Sequence, residues 1–178
     1  MSEAPARIVL VGFMGSGKTT IGAIVARRLG YAFEDMDRRI EERTGRRIAA
    51  IFREDGEEAF RALELEEARR AAGLKRCVVA AGGGAFTRPQ TRAVLQQSAV
   101  TVWIRCSLDT LLGRVGGDPS RPLAGNRDIM RALLAEREPS YSMADVAVDG
   151  SVGSPQQVAD RVLALVRNRI ADRAPRRP

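Results

Sequence analysis

A glycine-rich loop near the start of the chain constrains the fold more than any other feature. Residues 12–19 have the sequence GFMGSGKT, which fits the pattern G-x-x-x-x-G-K-[ST]. A short β-branched run at 7–11 precedes the loop, and residues 17–29 carry apolar side chains at helical spacing up to Gly30. A strand, this loop and a helix in that order predict a phosphate-binding loop, because the backbone N–H groups and the positive helix end face an anion.

The rest of the chain alternates between strand and helix signals. Strands are predicted over 31–35, 78–81, 99–105 and 144–148. Helices are predicted over 37–43, 57–72, 88–97 and 128–141, over 155–170, and after a cap at Ser107. This alternation predicts a three-layer α/β fold, in which a parallel sheet lies between two layers of helices. The 178 residues contain no repeat and no linker that would divide them, so we expect one domain, 1–178.

Composition excludes several classes of protein. Cys77 and Cys106 are the only cysteines and there is no histidine, which excludes a disulfide scaffold, histidine-ligated zinc and Ser-His or Cys-His catalysis. No apolar run approaches the ~18 residues of a membrane span, and the start lacks the pattern of a secretory signal. We therefore expect a cytoplasmic protein with no membrane partner.

The net charge of +7 is concentrated at one end of the chain. The last twelve residues hold five arginines against one aspartate, which accounts for four of the seven charges. We interpret residues 171–178 as a flexible, solvated basic tail. Aromatic residues are only 4%, which offers no stacking platform for bases, so a nucleic-acid-binding module is the weakest alternative and no nucleic-acid partner is expected.

The loop predicts nucleotide binding without choosing the reaction. Lys18 can neutralise the β- and γ-phosphates, and the Thr19 hydroxyl can ligate Mg²⁺. The sequence lacks the N-K-x-D and D-x-x-G motifs of Ras-type GTPases. The strand at 78–81 ends in three glycines, where a motor ATPase would have an acidic residue. With these two classes excluded, the sequence favours a kinase that transfers a phosphoryl group to a small molecule.

Candidate acceptor residues follow the predicted strands. Asp35 and Asp37 end the second strand, where one carboxylate can lie near Mg²⁺ and the other can bind hydroxyl groups, unless they only cap the next helix. Arg61 and Arg137 are either anion-binding or solvated surface arginines. Three glycines after the strand at 78–81 can bring backbone N–H groups close to a ligand, or form a simple turn. These glycines are Gly82, Gly83 and Gly84.

With these residues in place, the chain resembles the shikimate kinase family over residues 7–170. The agreement comprises GFMGSGKT, Asp35-Met36-Asp37, Ile51-Phe52, Gly56-Glu57, Phe60-Arg61 with Glu64, Gly82-Gly83-Gly84, Arg121-Pro122-Leu123 and Arg137-Glu138-Pro139-Ser140-Tyr141. The resemblance implies the five-stranded fold of nucleoside monophosphate kinases, with a substrate-binding region at about 36–64 and a lid at about 116–127. It implies a monomer that uses ATP to phosphorylate the 3-hydroxyl of shikimate, giving shikimate 3-phosphate on the route to chorismate and the aromatic amino acids.

The resemblance also assigns roles to individual residues. Lys18, Asp35 and Arg121 would be catalytic, and Thr19 and Asp35 would bind Mg²⁺. The ATP-binding residues would be Gly15, Ser16, Gly17, Lys18, Thr19, Thr20, Arg114 and Arg121. Asp37 would bind the hydroxyls of shikimate, Arg61 and Arg137 its carboxylate, and Gly82, Gly83 and Gly84 would present backbone donors. The loop at 150–155 lacks an arginine that many relatives carry near the adenine.

Two alternatives remain open from the sequence. A related small-molecule kinase, such as gluconate kinase, would share the phosphate loop and a hydroxylated acid as substrate. The three glycines at 82–84 and the Arg121-Pro122-Leu123 segment favour shikimate. A catalytically inactive, ligand-sensing relative would usually lack Lys18, Asp35 or Arg121, and all three are present.

Overall fold

The predicted strands form one parallel sheet in the computed structural model, which describes residues 7–115 and 126–173. The strands are β1 Arg7–Val11, β2 Ala32–Asp35, β3 Cys77–Ala80, β4 Val100–Arg105 and β5 Val146–Asp149. Their order across the sheet is β2-β3-β1-β4-β5, and every neighbouring pair is parallel. The predicted five-stranded α/β fold is therefore confirmed.

Helices cover the sheet on both faces. Within the described residues they are α1 Lys18–Leu29, α2 Met36–Thr44, α3 Ile48–Ala72, α4 Pro89–Gln96, α5 Leu108–Val115, α6 Arg127–Tyr141 and α7 Pro155–Arg173, with a 3₁₀ turn at Ala85–Thr87. Helix α1 packs on α7, and α3 packs on α4. Every residue of β1 and β3 is buried, which is typical of central strands covered on both sides.

Helix α3 begins earlier than the sequence predicted. We expected a helix only from residue 57, but helical structure starts at Ile48 and is interrupted at Gly56, whose φ of 85° and ψ of 174° are not helical. The first part carries three charged residues and only one buried side chain, Ile51, so its apolar periodicity is weak. Ile51 packs with Ile40 of α2 and Phe60 of α3 in a small separate core.

The topology gathers the predicted site residues at one edge of the sheet. The central strand β1 ends in the phosphate loop, β2 ends at Asp35, and β3 leads into the three glycines. Strands β4 and β5 end at the same edge, next to Cys106 and Gly150. Ligand sites of open parallel sheets lie at this edge, where the strand order reverses beside β1. No helix within 7–115 or 126–173 has the length and apolar character needed to cross a membrane.

Candidate active site

The phosphate loop has the geometry that its sequence predicted. Gly17, with a φ of 96°, is the N-cap of α1, and this left-handed conformation favours glycine. The Lys18 ammonium donates to the carbonyls of Gly12 and Phe13, both at 2.9 Å, so the cation lies over the loop. Ser16 is fully buried, and its hydroxyl has no hydrogen-bond partner among the described residues. Loop amides, a cation and the start of α1 together form an anion-binding cradle.

Asp35 connects this loop to the end of β2. Its Oδ1 accepts the N–H groups of Asp37 at 3.1 Å and Arg38 at 3.2 Å, which caps α2. Its Oδ2 accepts the Thr19 hydroxyl at 2.6 Å. Asp35 therefore both caps α2 and contacts the phosphate loop, because Oδ1 accepts the helix N–H groups and Oδ2 accepts the Thr19 hydroxyl.

The oxygens of Thr19 and Asp35 fit a magnesium ion. Mg²⁺ prefers oxygen ligands and is usually bound through one or two carboxylates together with water and substrate phosphates. In the described part of the chain, no cluster of three or more His, Cys, Asp or Glu side chains could hold a metal without such help. A metal at this position would therefore take its other ligands from a nucleotide and from water.

The three-glycine turn after β3 lies among the other predicted substrate residues. A Cβ atom placed at Gly84 would contact Arg61 Nη1 and lie 2.6 Å from Nη2 and 2.7 Å from Cζ. A Cβ placed at Gly83 would lie 3.6 Å from Arg137 Nη1 and 3.6 Å from the backbone nitrogen of Met14 in the phosphate loop. The turn, both arginines and the loop therefore adjoin one another.

Two carboxylates also meet this turn. A Cβ placed at Gly82 would lie 2.6 Å from Asp37 Oδ1 and 2.6 Å from Glu64 Oε1. Glu64 is only 1% exposed, and burial raises the pKa of its carboxyl above the ordinary value, with Asp37 acting in the same direction and Arg61 against it. Any larger residue at 82 would displace one of these carboxylates.

Arg61 is held in a defined position. Its Nη1 pairs with Glu64 Oε2 at 2.5 Å, and its Nε and Nη2 donate to Glu57 Oε1 at 3.1 and 2.9 Å. Its Cζ lies 6.0 Å from the ring centre of Phe52 and 5.6 Å from that of Phe60. The Arg61 side chain is 12% exposed, so its guanidinium is a preorganised cation beside the glycine turn and not a solvated surface charge.

Arg137 reaches the same turn from α6. Its guanidinium carbon lies 5.6 Å from the ring centre of Phe13 in the phosphate loop. One helical turn later, the Tyr141 hydroxyl donates to the carbonyl of Gly83. The two arginines thus come from different helices and converge on the turn.

A separate cavity lies on the other side of the phosphate loop. Arg114 Nη1 donates to the carbonyls of Gly15 and Ser16, both at 3.3 Å, and Nη2 donates to that of Gly150 at 2.8 Å. The cavity has a volume of about 330 Å³ and is lined by Gly17, Thr20, Ile21, Arg114, Gly150, Gly153, Pro155 and Val158. Its position beside the loop suits the base and ribose of a nucleotide.

Arg121 lies outside the described residues, as does most of the lid predicted at 116–127. Asn126 is the first described residue after this gap, and its side chain caps α6 by accepting the N–H groups of Asp128 and Ile129, both at 3.0 Å. The roles of Arg121 and the lid stay predictions from the sequence.

Sequence reasoning missed the residues that hold the arginines and the turn in place. Glu64 and Tyr141 belong to the motifs that carry the family resemblance, but the sequence predicted no role for either residue. Helical spacing offered a signal, because Glu64 follows Arg61 by three positions and Tyr141 follows Arg137 by four. Residues at these spacings lie on one helix face, so partners of each arginine could have been sought there.

The parallel sheet, the phosphate loop with its Thr19–Asp35 pair and the two arginines beside the glycine turn define a P-loop kinase of small molecules. The sequence model of the family described as shikimate kinase matches residues 14–167. The chain is 41% identical to a shikimate kinase of Geobacter sulfurreducens, over 90% of both chains. It is 44% identical to one of Moorella thermoacetica, over 82% of this chain and 85% of the relative. The chain belongs to the shikimate kinase family.

Solved structures agree with this assignment. A shikimate kinase from Acinetobacter baumannii, solved in complex with shikimate, superposes with a TM-score of 0.88 at 34% identity, over 94% of this chain and 95% of that one. A gluconokinase from Sinorhizobium meliloti superposes with a TM-score of 0.64 at 20% identity, over 96% of each chain. The second likeness shows a common fold only.

Proposed function

We propose that this chain transfers the γ-phosphate of ATP to the 3-hydroxyl of shikimate, giving shikimate 3-phosphate and ADP on the route to chorismate and the aromatic amino acids. One observation carries the proposal: two guanidinium groups lie against a glycine turn beside the phosphate loop. This arrangement suits an acceptor that has one carboxylate and several hydroxyl groups.

The phosphate loop binds ATP. Backbone N–H groups of Gly15, Ser16 and Gly17 and the N-terminus of α1 face the phosphates. The base and ribose occupy the cavity beside Thr20 and Arg114. The hydrogen bond from Arg114 to the Gly150 carbonyl supports this arrangement, because it places an arginine in the lining of the cavity. The loop at 150–155 itself has no arginine.

The glycine turn and its neighbours bind shikimate. Arg61 and Arg137 hold the carboxylate, for which a planar guanidinium with paired donors is better suited than an ammonium. Asp37 accepts hydrogen bonds from the ring hydroxyls. Backbone N–H groups at 82–84 complete the donor set. The substrate-binding region at about 36–64 then contributes α2 and the first part of α3.

Phosphoryl transfer takes place between these two sites. The bond from the γ-phosphorus to the bridging oxygen of ADP breaks as a bond to the 3-oxygen of shikimate forms, and the hydroxyl proton passes to solvent water. Asp35 accepts a hydrogen bond from the reacting hydroxyl, and Lys18 stabilises the charge that grows between the β- and γ-phosphates. Bound Mg²⁺, held through Thr19 and Asp35, would supply charge neutralisation of the phosphate oxygens. By the family resemblance, Arg121 of the lid predicted at 116–127 would contact the transferred phosphate.

The enzyme works as one domain and as a monomer. Because ATP is the phosphate donor, we expect it to act in the cytoplasm.

A coupled assay of ADP release tests the proposal. With Mg²⁺ and ATP present, shikimate should drive ADP release, whereas gluconate and AMP should leave it at the background rate. A shikimate analogue with its carboxylate reduced to an alcohol should be a poor substrate. Arg61→Lys should discriminate less between the two compounds, because a lysine lacks the paired donors. Turnover of gluconate in place of shikimate would overturn the proposal, and no turnover with any acceptor would indicate an inactive relative.

A further inference from the structure

The carbonyls of the glycine turn differ in how they are held. The Gly82 carbonyl accepts the N–H of Ala85 at 3.1 Å. The Gly84 carbonyl accepts the N–H of Thr87 at 3.1 Å and its hydroxyl at 2.7 Å. These bonds lie within the turn and the 3₁₀ helix that follows it. The middle carbonyl, that of Gly83, accepts instead from the Tyr141 hydroxyl on α6.

The packing of Tyr141 stabilises this hydrogen bond. Its side chain is fully buried, and its ring centre lies 6.1 Å from that of Trp103 on β4. Burial raises the pKa of the Tyr141 hydroxyl to about 12, so the group stays protonated and donates throughout the neutral range. The ring is anchored by packing, and the hydroxyl is its one polar contact with the turn.

A fixed carbonyl also fixes the next amide. The described residues contain no cis peptide bond, and in a planar trans peptide the C=O and N–H groups point in opposite directions. The bond from Tyr141 to Gly83 therefore sets the direction of the Gly84 N–H. Two successive glycines would otherwise rotate easily, because no Cβ restricts their backbone.

The same helix face supplies Arg137. It precedes Tyr141 by four residues, and its Nη1 lies 3.6 Å from the position of a Cβ at Gly83. Helix α6 thus approaches one glycine with two side chains: the Arg137 guanidinium lies near it, and the Tyr141 hydroxyl donates to its carbonyl. A shift of the Gly83–Gly84 peptide would change both its N–H direction and its spacing from Arg137.

We propose that Tyr141 is a positioning residue of the acceptor site, whose hydroxyl orients the Gly83–Gly84 peptide toward the bound acid and keeps it in register with Arg137. This inference rests on the proposed function, since it concerns binding of the same acceptor. Because Tyr141 is fully buried and its hydroxyl is bonded to the Gly83 carbonyl, it acts on the acceptor through the turn.

Tyr141→Phe tests the inference, because it removes the hydroxyl and keeps the packed ring. Loss of one hydrogen bond that orients the turn should raise KM for shikimate about 10-fold, equivalent to about 1.4 kcal/mol. KM for ATP and kcat should stay within about twofold of the wild type. The matched control is Tyr31→Phe, at the amino end of β2 and the opposite edge of the sheet, where Arg76 lies 5.3 Å from the ring centre. It should leave both KM values unchanged.

The outcomes separate this inference from the proposed function. Absence of shikimate-dependent ADP release in the wild type would refute the function, whatever Tyr141 does. With an active wild type, an unchanged KM for shikimate in Tyr141→Phe would refute the inference. Equal rises in KM for shikimate and for ATP, together with a lowered melting temperature, would refute it as well, because they would show a structural role only. A rise confined to shikimate at a wild-type melting temperature supports it.

Discussion

Gly84→Ala should weaken shikimate binding by displacing Arg61 without removing its charge. The backbone at Gly84 has a φ of −100° and a ψ of −15°, which alanine adopts without strain. The added Cβ would lie 2.6 Å from Arg61 Nη2 and 2.7 Å from Cζ. Since relaxed contacts between heavy atoms lie near 3.5 Å, the guanidinium must retreat by roughly 1 Å.

The magnitude follows from the bonds that this retreat disturbs. A hydrogen bond to a charged group contributes about 1.5–3 kcal/mol, so misplacing the paired donors should raise KM for shikimate by about 10- to 100-fold. The Arg61–Glu64 pair must shift as well, and we expect the free energy of unfolding to fall by about 1–3 kcal/mol. KM for ATP should change by less than about twofold, because the contacts made by Arg61 involve the acceptor pocket only.

Steady-state ADP release, with each substrate varied in turn, measures these effects. Gly73→Ala is the matched control, because Gly73 has a similar φ of −79° and its added Cβ would meet only the Arg70 carbonyl, at 3.5 Å. The control should keep wild-type constants. If Gly84→Ala binds shikimate as well as the control does, the position of Arg61 does not determine acceptor affinity.

Three further predictions follow from other parts of the structure. Lys18→Met should lower kcat by about 10³-fold or more with an unchanged circular dichroism spectrum, and near-wild-type turnover would remove the lysine from the mechanism. Arg7→Met should lower the free energy of unfolding by about 2–4 kcal/mol, because the buried guanidinium donates to backbone carbonyls near the ends of α3 and α4. An unchanged midpoint in urea titration would contradict this. Arg121→Ala should lower kcat strongly, and hydrogen exchange of residues 116–127 should slow when ADP and shikimate bind; unchanged exchange would argue against a lid.

The sequence predicted what short local patterns determine. The phosphate loop, Gly30 at the end of α1 and Asp35 at the end of β2 each depend on a few consecutive residues. Their positions agree with the structure because strand, turn and helix signals follow one another there without conflict. The parallel topology placed Asp37 beside the glycine turn, because each follows the end of a strand. Arg61 and Arg137 reach the same turn from helices α3 and α6.

Local sequence patterns did not predict the contacts between distant segments of the chain. Tyr141 and Gly83 are 58 positions apart, and nothing in the local pattern of α6 shows that the hydroxyl meets a backbone carbonyl. Burial of Glu64 likewise depends on the turn after β3, so its position on an amphipathic helix does not show that it is buried. The loop at 150–155 lacks an arginine, but Arg114 bridges from α5 to the Gly150 carbonyl, a contact that the local pattern of α5 does not show.

The most direct test of the account is identification of the reaction product. The purified chain should be incubated with ATP, Mg²⁺ and shikimate, and the mixture examined by phosphorus NMR with correlation to the ring protons. We predict ADP and a single new phosphomonoester whose phosphorus couples to the proton at carbon 3 of shikimate. A phosphate on another hydroxyl, or release of inorganic phosphate in place of an ester, would contradict the proposed orientation of the acceptor by Arg61, Arg137 and Asp37.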